Sequence, residues 1–184
     1  GISAVNKLAR NWPHPTVPDS WHCSPLSRTR HTMSLMIDAF DDGNSPPLLE
    51  YDERLVELDF GQWEGMTWPL VHEHHADEMT LWGEDWVHRS PPDGETFSQQ
   101  AARCEKWLSD LIVKIKQSHQ GADRHLALVV THGGSIRALL CHCLGWPLTR
   151  AMDFRVDPAS KTRLDFDNTD EGGRWLVRDL NSVT

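Results

Sequence analysis

Two short segments carry residue types suited to holding an anion. In Ser24-Pro25-Leu26-Ser27-Arg28-Thr29-Arg30-His31-Thr32, a serine before a proline marks a helix start. Arg28 within it offers a permanently charged planar fork for two oxygens. In Val130-Thr131-His132-Gly133-Gly134, a histidine precedes two glycines that let backbone approach a ligand closely. Each segment follows an apolar stretch that reads as a strand, and each opens a helix. In an open α/β sheet, ligands sit beyond the carboxyl ends of the strands, where helix N-termini present free N–H groups and positive dipole. Arg28 and His132 can therefore face one anion, and phosphate is the natural candidate. Plainer readings stand beside this one. Arg28, with Arg30 close by, also fits a solvated basic face, and for this residue the two readings are level. His132 alone could be an ordinary strand-end histidine, but its place between an apolar strand and two glycines favours a ligand.

Other arrangements carry less. His72-Glu73-His74-His75 approaches a zinc-protease helix, but the HExxH spacing needs a second histidine where Ala76 stands, so a solvated helix is the better reading. Cys141-His142-Cys143 holds metal-type residues at adjacent helical positions, which do not face one another. Trp63, Trp68, Trp82, Trp86 and Trp107 are spread over different segments and read as core or pocket wall. No metal ion and no cofactor is expected.

The elements that must position Arg28 and His132 follow from periodicity. Ile2, Val5, Leu8, Ala9 and Trp12 predict a short first helix ended by Pro13 and Pro15. Trp21 to Cys23 is extended, and Met33, Met36, Ile37 and Phe40 continue a helical face after Pro25. Asp41 to Pro47 reads as a loop, Leu48 to Tyr51 as a strand, and Asp59 to Gly65 as irregular. One helix is predicted over Thr67 to about Glu78, a turn at Ser90 to Gly94, and the longest helix from Glu95 to about Gln117. Leu126 to Val130 is an apolar, β-branched run of the kind buried on both faces of a parallel sheet, followed by helix from Ile136 to Leu144 and closed by Gly145. Short strands are predicted at Thr162 to Phe166 and Trp175 to Leu180, separated by a polar turn from Asp167 to Gly173. Strands alternating with helices predict one three-layer α/β/α domain over residues 1 to 184, built on a mostly parallel sheet.

Composition narrows the function. A formal charge of −9, from 27 acidic against 18 basic residues, disfavours nucleic acid and anionic membranes as partners. No apolar run approaches the roughly 18 residues a membrane helix needs, and no secretory signal opens the chain. Cys23, Cys104, Cys141 and Cys143 lack scaffold density and CxxC spacing, which suits free thiols in a reducing cytoplasm.

Taken together, the motifs resemble the histidine phosphatase superfamily, the group that contains cofactor-dependent phosphoglycerate mutases and α-ribazole phosphatases. Ser24 to Thr32 is similar to its SPLxRAxxT element. Leu55-Val56-Glu57-Leu58-Asp59-Phe60-Gly61-Gln62-Trp63-Glu64-Gly65 is similar to LxExDFGxWEG, Pro91-Pro92-Asp93-Gly94-Glu95-Thr96 to PPxGES, and Val130 to Gly134 to VTHGG. The likeness runs nearly the whole chain, to Val156-Asp157-Pro158-Ala159-Ser160, with Thr29, Asp93 and Thr96 as mild departures. It implies a phosphoglycerate mutase-like fold. It also implies that Arg28, His132 and Gly133 bind the phosphoryl group, and that Glu57 is the acid that protonates the leaving oxygen and later helps activate water. Taken without the resemblance, Glu57 is a solvated loop carboxylate.

The family opens with an Arg-His-Gly segment whose histidine takes the phosphoryl group, and no Arg-His-Gly occurs here. Arg30-His31 and Arg124-His125 stand in the wrong places, so the nucleophile is expected upstream of Gly1. The first strand of the sheet is then expected to be missing too, leaving an open edge beside the His132 strand or an edge filled by another segment or chain. The resemblance implies a phosphomonoester hydrolase working through phosphohistidine on a small phosphorylated substrate, nearest the α-ribazole phosphatase branch. A phosphoglycerate mutase is the second reading, and a non-catalytic phospho-ligand or protein-binding module is the reading from another class. A homodimer is compatible with all three.

Overall fold

In the computed structural model, residues 2–10, 12, 17–40, 48–118, 124–169 and 172–183 are described. The prolines expected to end the first helix, the loop expected at 41–47 and the tip of the expected turn near 170 lie outside them. The fold is set by a short parallel sheet. Strands β1 (Ser20–Cys23), β2 (Leu49–Tyr51) and β3 (Ala127–Val130) lie in the order β2-β1-β3, with β1 central. Side chains alternate across β1. Trp21 and Cys23 turn to one face, where they pack with Leu128 against Val5, Ala9, Met33 and Met36 of α1 (Ile2–Arg10) and α2 (Ser27–Phe40). His22 turns to the other face, its ring edge-on to Trp107 of α5 (Phe97–Ser118) at 5.7 Å. Leu55, Trp107 and Leu108 form the core there, with Val129 of β3 against them. Helices thus cover both faces, and the three-layer arrangement is the expected one.

Register does the positioning. Cys23 pairs with Tyr51 on one side and with Val130 on the other, so all three strands end at one level. The residues that follow, Ser24, Asp52 and Thr131-His132, leave the sheet along a single edge. Ser24 N–H closes this edge by donating to Val130 O at 2.9 Å. From there α2 begins, and α6 (Gly133–Leu144) begins immediately after His132. Gly145 ends α6 in the left-handed region, φ 64°, where its N–H reaches the carbonyls of Cys141 and His142. At α5, Thr96 and Gln99 form a reciprocal cap: Gln99 N–H donates to Thr96 Oγ1 at 3.1 Å and Thr96 N–H to Gln99 Oε1 at 2.9 Å. Threonine therefore serves the helix start as well as the serine of the family motif.

Three expectations need correction. The first helix ends at Arg10, short of the Trp12 that the pattern included. The single helix predicted from Thr67 is two, α3 (Trp68–His74) and α4 (Ala76–Glu84). His75 breaks them apart at φ −138°, ψ 40°, and its ring lies against Trp63 at 6.3 Å. Asp77 and Glu78 then fall in the first turn of a new helix, where acidic residues complement the dipole. The polar turn drawn across Asp167 to Gly173 is mostly strand. β4 (Lys161–Thr169) and β5 (Gly172–Ser182) form an antiparallel hairpin whose ladder runs through Asp167↔Arg174 to Thr169↔Gly172. Phe166 pairs with Trp175 at 4.8 Å between centroids, and bare Gly173 leaves room for the Phe166 ring, which a Cβ would meet at 1.9 Å. Aromatic pairing across the hairpin outweighs its polar composition.

The hairpin is a second sheet, and among the described residues β3 has a ladder on its β1 side alone. Of the arrangements foreseen beside the His132 strand, an open edge is the one the described residues show. All four cysteines are free thiols. No described helix is long and apolar enough to cross a membrane.

Candidate active site

The common carboxyl edge brings Arg28 and His132 together across 104 residues of sequence. Arg28 Nε donates to His132 Nδ1 at 3.2 Å, and His132 Nε2 lies 2.8 Å from Ser24 Oγ. Because an arginine nitrogen can only donate, Nδ1 must carry the lone pair and Nε2 the proton, which it gives to Ser24. His132 is 7% exposed. Burial, with further help from the charges of Arg28 and Arg103 and against the pull of Glu57, pushes its pKa down to about 4. The imidazole is therefore neutral at pH 7. Arg28 is exposed, so the pair presents one solvent-facing cation and one buried switchable donor to the same space.

Glu57 stands at the next residues of α6. Its Oε1 accepts from Gly134 N–H at 3.1 Å and from Leu58 N–H at 3.0 Å, and Oε2 lies 3.3 Å from the same Gly134 nitrogen. The carboxylate occupies the space a side chain at Gly134 would need, since a Cβ there would sit 2.3 Å from Oε1. A third donor is Gln100 Nε2, at 3.1 Å. Gly134, rather than Gly133, thus gives its N–H to this carboxylate, and Gly133 remains the residue between it and His132.

The chain around Glu57 is clamped from below. Arg103 grips Glu95 with Nε and Nη2 at 2.7 Å each. Its Nη1 donates to the carbonyls of Arg54 and Val56 at 2.8 Å, and Nη2 to that of Glu57 at 3.1 Å. Thr131 Oγ1 bonds Leu55 O at 2.6 Å, tying the residue before His132 to the same segment. Ser135, fully buried, donates to Val56 O at 3.0 Å. Above, three tryptophans that are scattered in sequence converge with Phe60. Trp68 stacks on Trp82 at 5.8 Å and 25°, and Trp63 meets Trp82 edge-on. Trp63 is core, Trp82 lines a cleft with Pro91 and Pro92, and Trp68 is half-exposed.

Of the residues singled out in sequence, Arg28, His132 and Glu57 meet at one sheet edge. Gln100, Arg103, Glu95 and Ser135 were not anticipated. Gln100 did leave a signal: it is the polar member of an otherwise apolar helical stripe with Phe97, Cys104, Trp107 and Leu108. Arg103 left none, because basic residues on a long helix ordinarily face water.

Residues 1–182 match the histidine phosphatase superfamily (branch 1). The chain belongs to this superfamily. It is 29% identical over 143 residues to the adenosylcobalamin/α-ribazole phosphatase of Escherichia coli K12, covering 78% of this chain and 64% of that protein. To phosphoserine phosphatase 1 of Hydrogenobacter thermophilus it is 28% identical over 142 residues, covering 77% of this chain and 62% of that one. The chain thus spans just under two thirds of the length of these curated relatives. The crystal structure of the α-ribazole phosphatase from Shigella flexneri superposes with a TM-score of 0.79 at 26% identity, covering 98% of this chain and 81% of that one. The phosphoglycerate mutase-like fold expected of a superfamily member is therefore the fold observed.

Proposed function

We propose that this chain carries the phosphoryl-binding and proton-transfer parts of a phosphomonoester hydrolase. The observation that carries the reading is the meeting of Arg28, His132 and Glu57 at the carboxyl edge of the sheet, beside the N-terminus of α6. Arg28 neutralises phosphoryl oxygens with its fork, and the Nε2–H of His132, now given to Ser24 Oγ, is the proton it can offer a third. Gly133 lets the oxygens approach the start of α6. Glu57 stands close enough to the same helix start to protonate the leaving oxygen and then to take a proton from the attacking water. The nucleophile of this route is a neutral histidine that the family resemblance places before Gly1, and its phosphorylated form is the intermediate. The substrate is small and phosphorylated. The phosphatase names of the relatives support hydrolysis over mutase chemistry, and α-ribazole phosphate is the leading candidate among substrates. A cytoplasmic setting fits four free thiols, three of them buried.

The test is turnover of an aryl phosphate by the full-length protein, upstream codons included. His132→Ala should lower the rate at least about a hundredfold, as loss of a charge-stabilising donor does elsewhere. Near-wild-type turnover would place the site elsewhere.

A further inference from the structure

Gln100 has no solvent exposure, yet it sits in the apolar stripe of α5 among Phe97, Cys104 and Trp107. An amide in such a place is unfavourable unless its bonds are made. They are made unevenly. Nε2, with two hydrogens, faces three acceptors: Glu57 Oε1 at 3.1 Å, Ser135 Oγ at 3.2 Å and Val56 O at 3.4 Å. Oε1 is buried with no donor at all. A side chain kept only to tie α5 to its neighbours would leave no buried acceptor unpaired; a methionine would fill the same volume without that loss.

Glu57 supplies the reason. Its bonding partners, Leu58 N–H, Gly134 N–H and Gln100 Nε2, are all donors, which suits the carboxylate. All three reach Oε1, whereas Oε2 has only the longer approach of Gly134 N–H at 3.3 Å, so the carboxylic acid carries its hydrogen on Oε2 while Oε1 keeps its donors.

We propose that Gln100 is a positioning residue for Glu57, holding Oε1 with its Nε2 in both protonation states, so that the acid stays in place against Gly134 through both halves of the reaction. The inference rests on the reading of Glu57 as proton donor. Formation of the phosphoenzyme, read in kcat/KM, needs Glu57 only for esters whose leaving group needs a proton, whereas its hydrolysis is common to all esters, so the ester-selective effect is read in kcat/KM.

The experiment compares an aryl phosphate with an alkyl phosphate in the full-length protein. Gln100→Met should lower kcat/KM for the alkyl ester by at least about tenfold and leave that of the aryl ester within about twofold. Equal losses on the two esters, or none, would overturn the proposal, with thermal melting run alongside to confirm the fold. Gln100→Glu gives a second arm that also decides the matter should Gln100→Met fail to fold. Its new carboxyl group shares a proton with Glu57 when acidified and can then donate as the amide does. Its alkyl-ester rate relative to wild type should rise about tenfold from about pH 8 to about pH 5. A flat ratio would refute the positioning role. Glu57→Gln run in parallel separates two kinds of failure. Equal losses on both esters there would overturn the acid reading and this inference together. Selective loss there without selective loss at Gln100 overturns this inference alone.

Discussion

Gly134→Ala separates stability from chemistry in a way that the site geometry makes quantitative. A Cβ at this position would lie 2.3 Å from Glu57 Oε1 and 2.9 Å from Gln100 Oε1, against an ordinary contact of 3.4 Å or more. Glu57 Oε1 must therefore retreat by about 1 Å, and its bond to Gly134 N–H, now 3.1 Å, is lost. The obstructing atoms are the ends of flexible side chains, not backbone, so the fold can yield. In addition, alanine in a helix is favoured over glycine by about 0.5–1 kcal/mol, which offsets part of the lost bond, itself about 1 kcal/mol. The melting temperature should accordingly stay within a few degrees of wild type, by about 4 °C at most for a domain of this size. Turnover should not. A misplacement of about 1 Å can cost about a hundredfold, and it would fall on the alkyl ester, whose departing oxygen needs the proton. The assay is kcat/KM for alkyl and aryl phosphates in the full-length protein beside a thermal melt. An intact fold with alkyl-ester turnover within about twofold of wild type would show that the seat of Glu57 against Gly134 is not what proton transfer requires.

Acid should weaken the fold through His132. Its ordinary pKa of 6.5 is depressed to about 4 by burial, so the unfolded chain takes up a proton between those values and the native chain does not. The stabilisation is complete above pH 6.5 and declines as pH falls toward 4, by about 3 kcal/mol over the window, with no further change below it. Buried His22, whose pKa is also lowered by burial, adds to the decline. Urea unfolding of wild type and His132→Asn from pH 7 to pH 4 checks this; parallel slopes would exclude His132 as the source. Arg103→Lys should destabilise the chain by about 2 kcal/mol, because an ammonium cannot span the Glu95 carboxylate and the carbonyls of residues 54, 56 and 57 at once; an unchanged urea midpoint would contradict the clamp. Aryl phosphate turnover should survive a chelator, since Arg28 and His132 supply the charge that neutralises the phosphoryl oxygens. Activity abolished by chelation and restored by a divalent ion would refute that division of labour.

Much of this was legible before the structure, and for definite reasons. Leu126 to Val130 is a continuous apolar run followed by glycines, which suits a buried parallel strand, and Trp21 to Cys23 is a short extended stretch that runs into a proline. Arg28 and His132 could be paired in thought because each follows such a strand. Glu57 could not be placed by that logic. It follows the 3-10 turn Glu53–Leu55, and its seat is made by Gly134 and Gln100, 77 and 43 residues away. Only the resemblance singled it out. The break at His75 was missed because no proline or glycine marks it; the trace it left was Asp77-Glu78, an acidic pair typical of a helix N-terminus standing where the predicted helix ended. The hairpin was undersized because Asp167 and Arg174 are exposed while Phe166 and Trp175 pair. Period and composition report which face an element buries, and they are silent on which distant side chain fills a gap.

The distances in sequence that the site spans also set when it can exist. Ser24 meets His132 across 108 residues, Arg28 across 104, and Glu57 meets Gly134 across 77. A chain leaving the ribosome N-terminus first exposes Arg28 and Glu57 long before their partners are made, and contacts of such long range form late. Until β3 has added to β1 and α6 has begun, the cation, the acid and the imidazole are three unrelated side chains with no shared ligand. Affinity for phosphate would then arise abruptly, near the end of synthesis, so that its appearance in a set of stalled nascent chains would time the closing of the sheet.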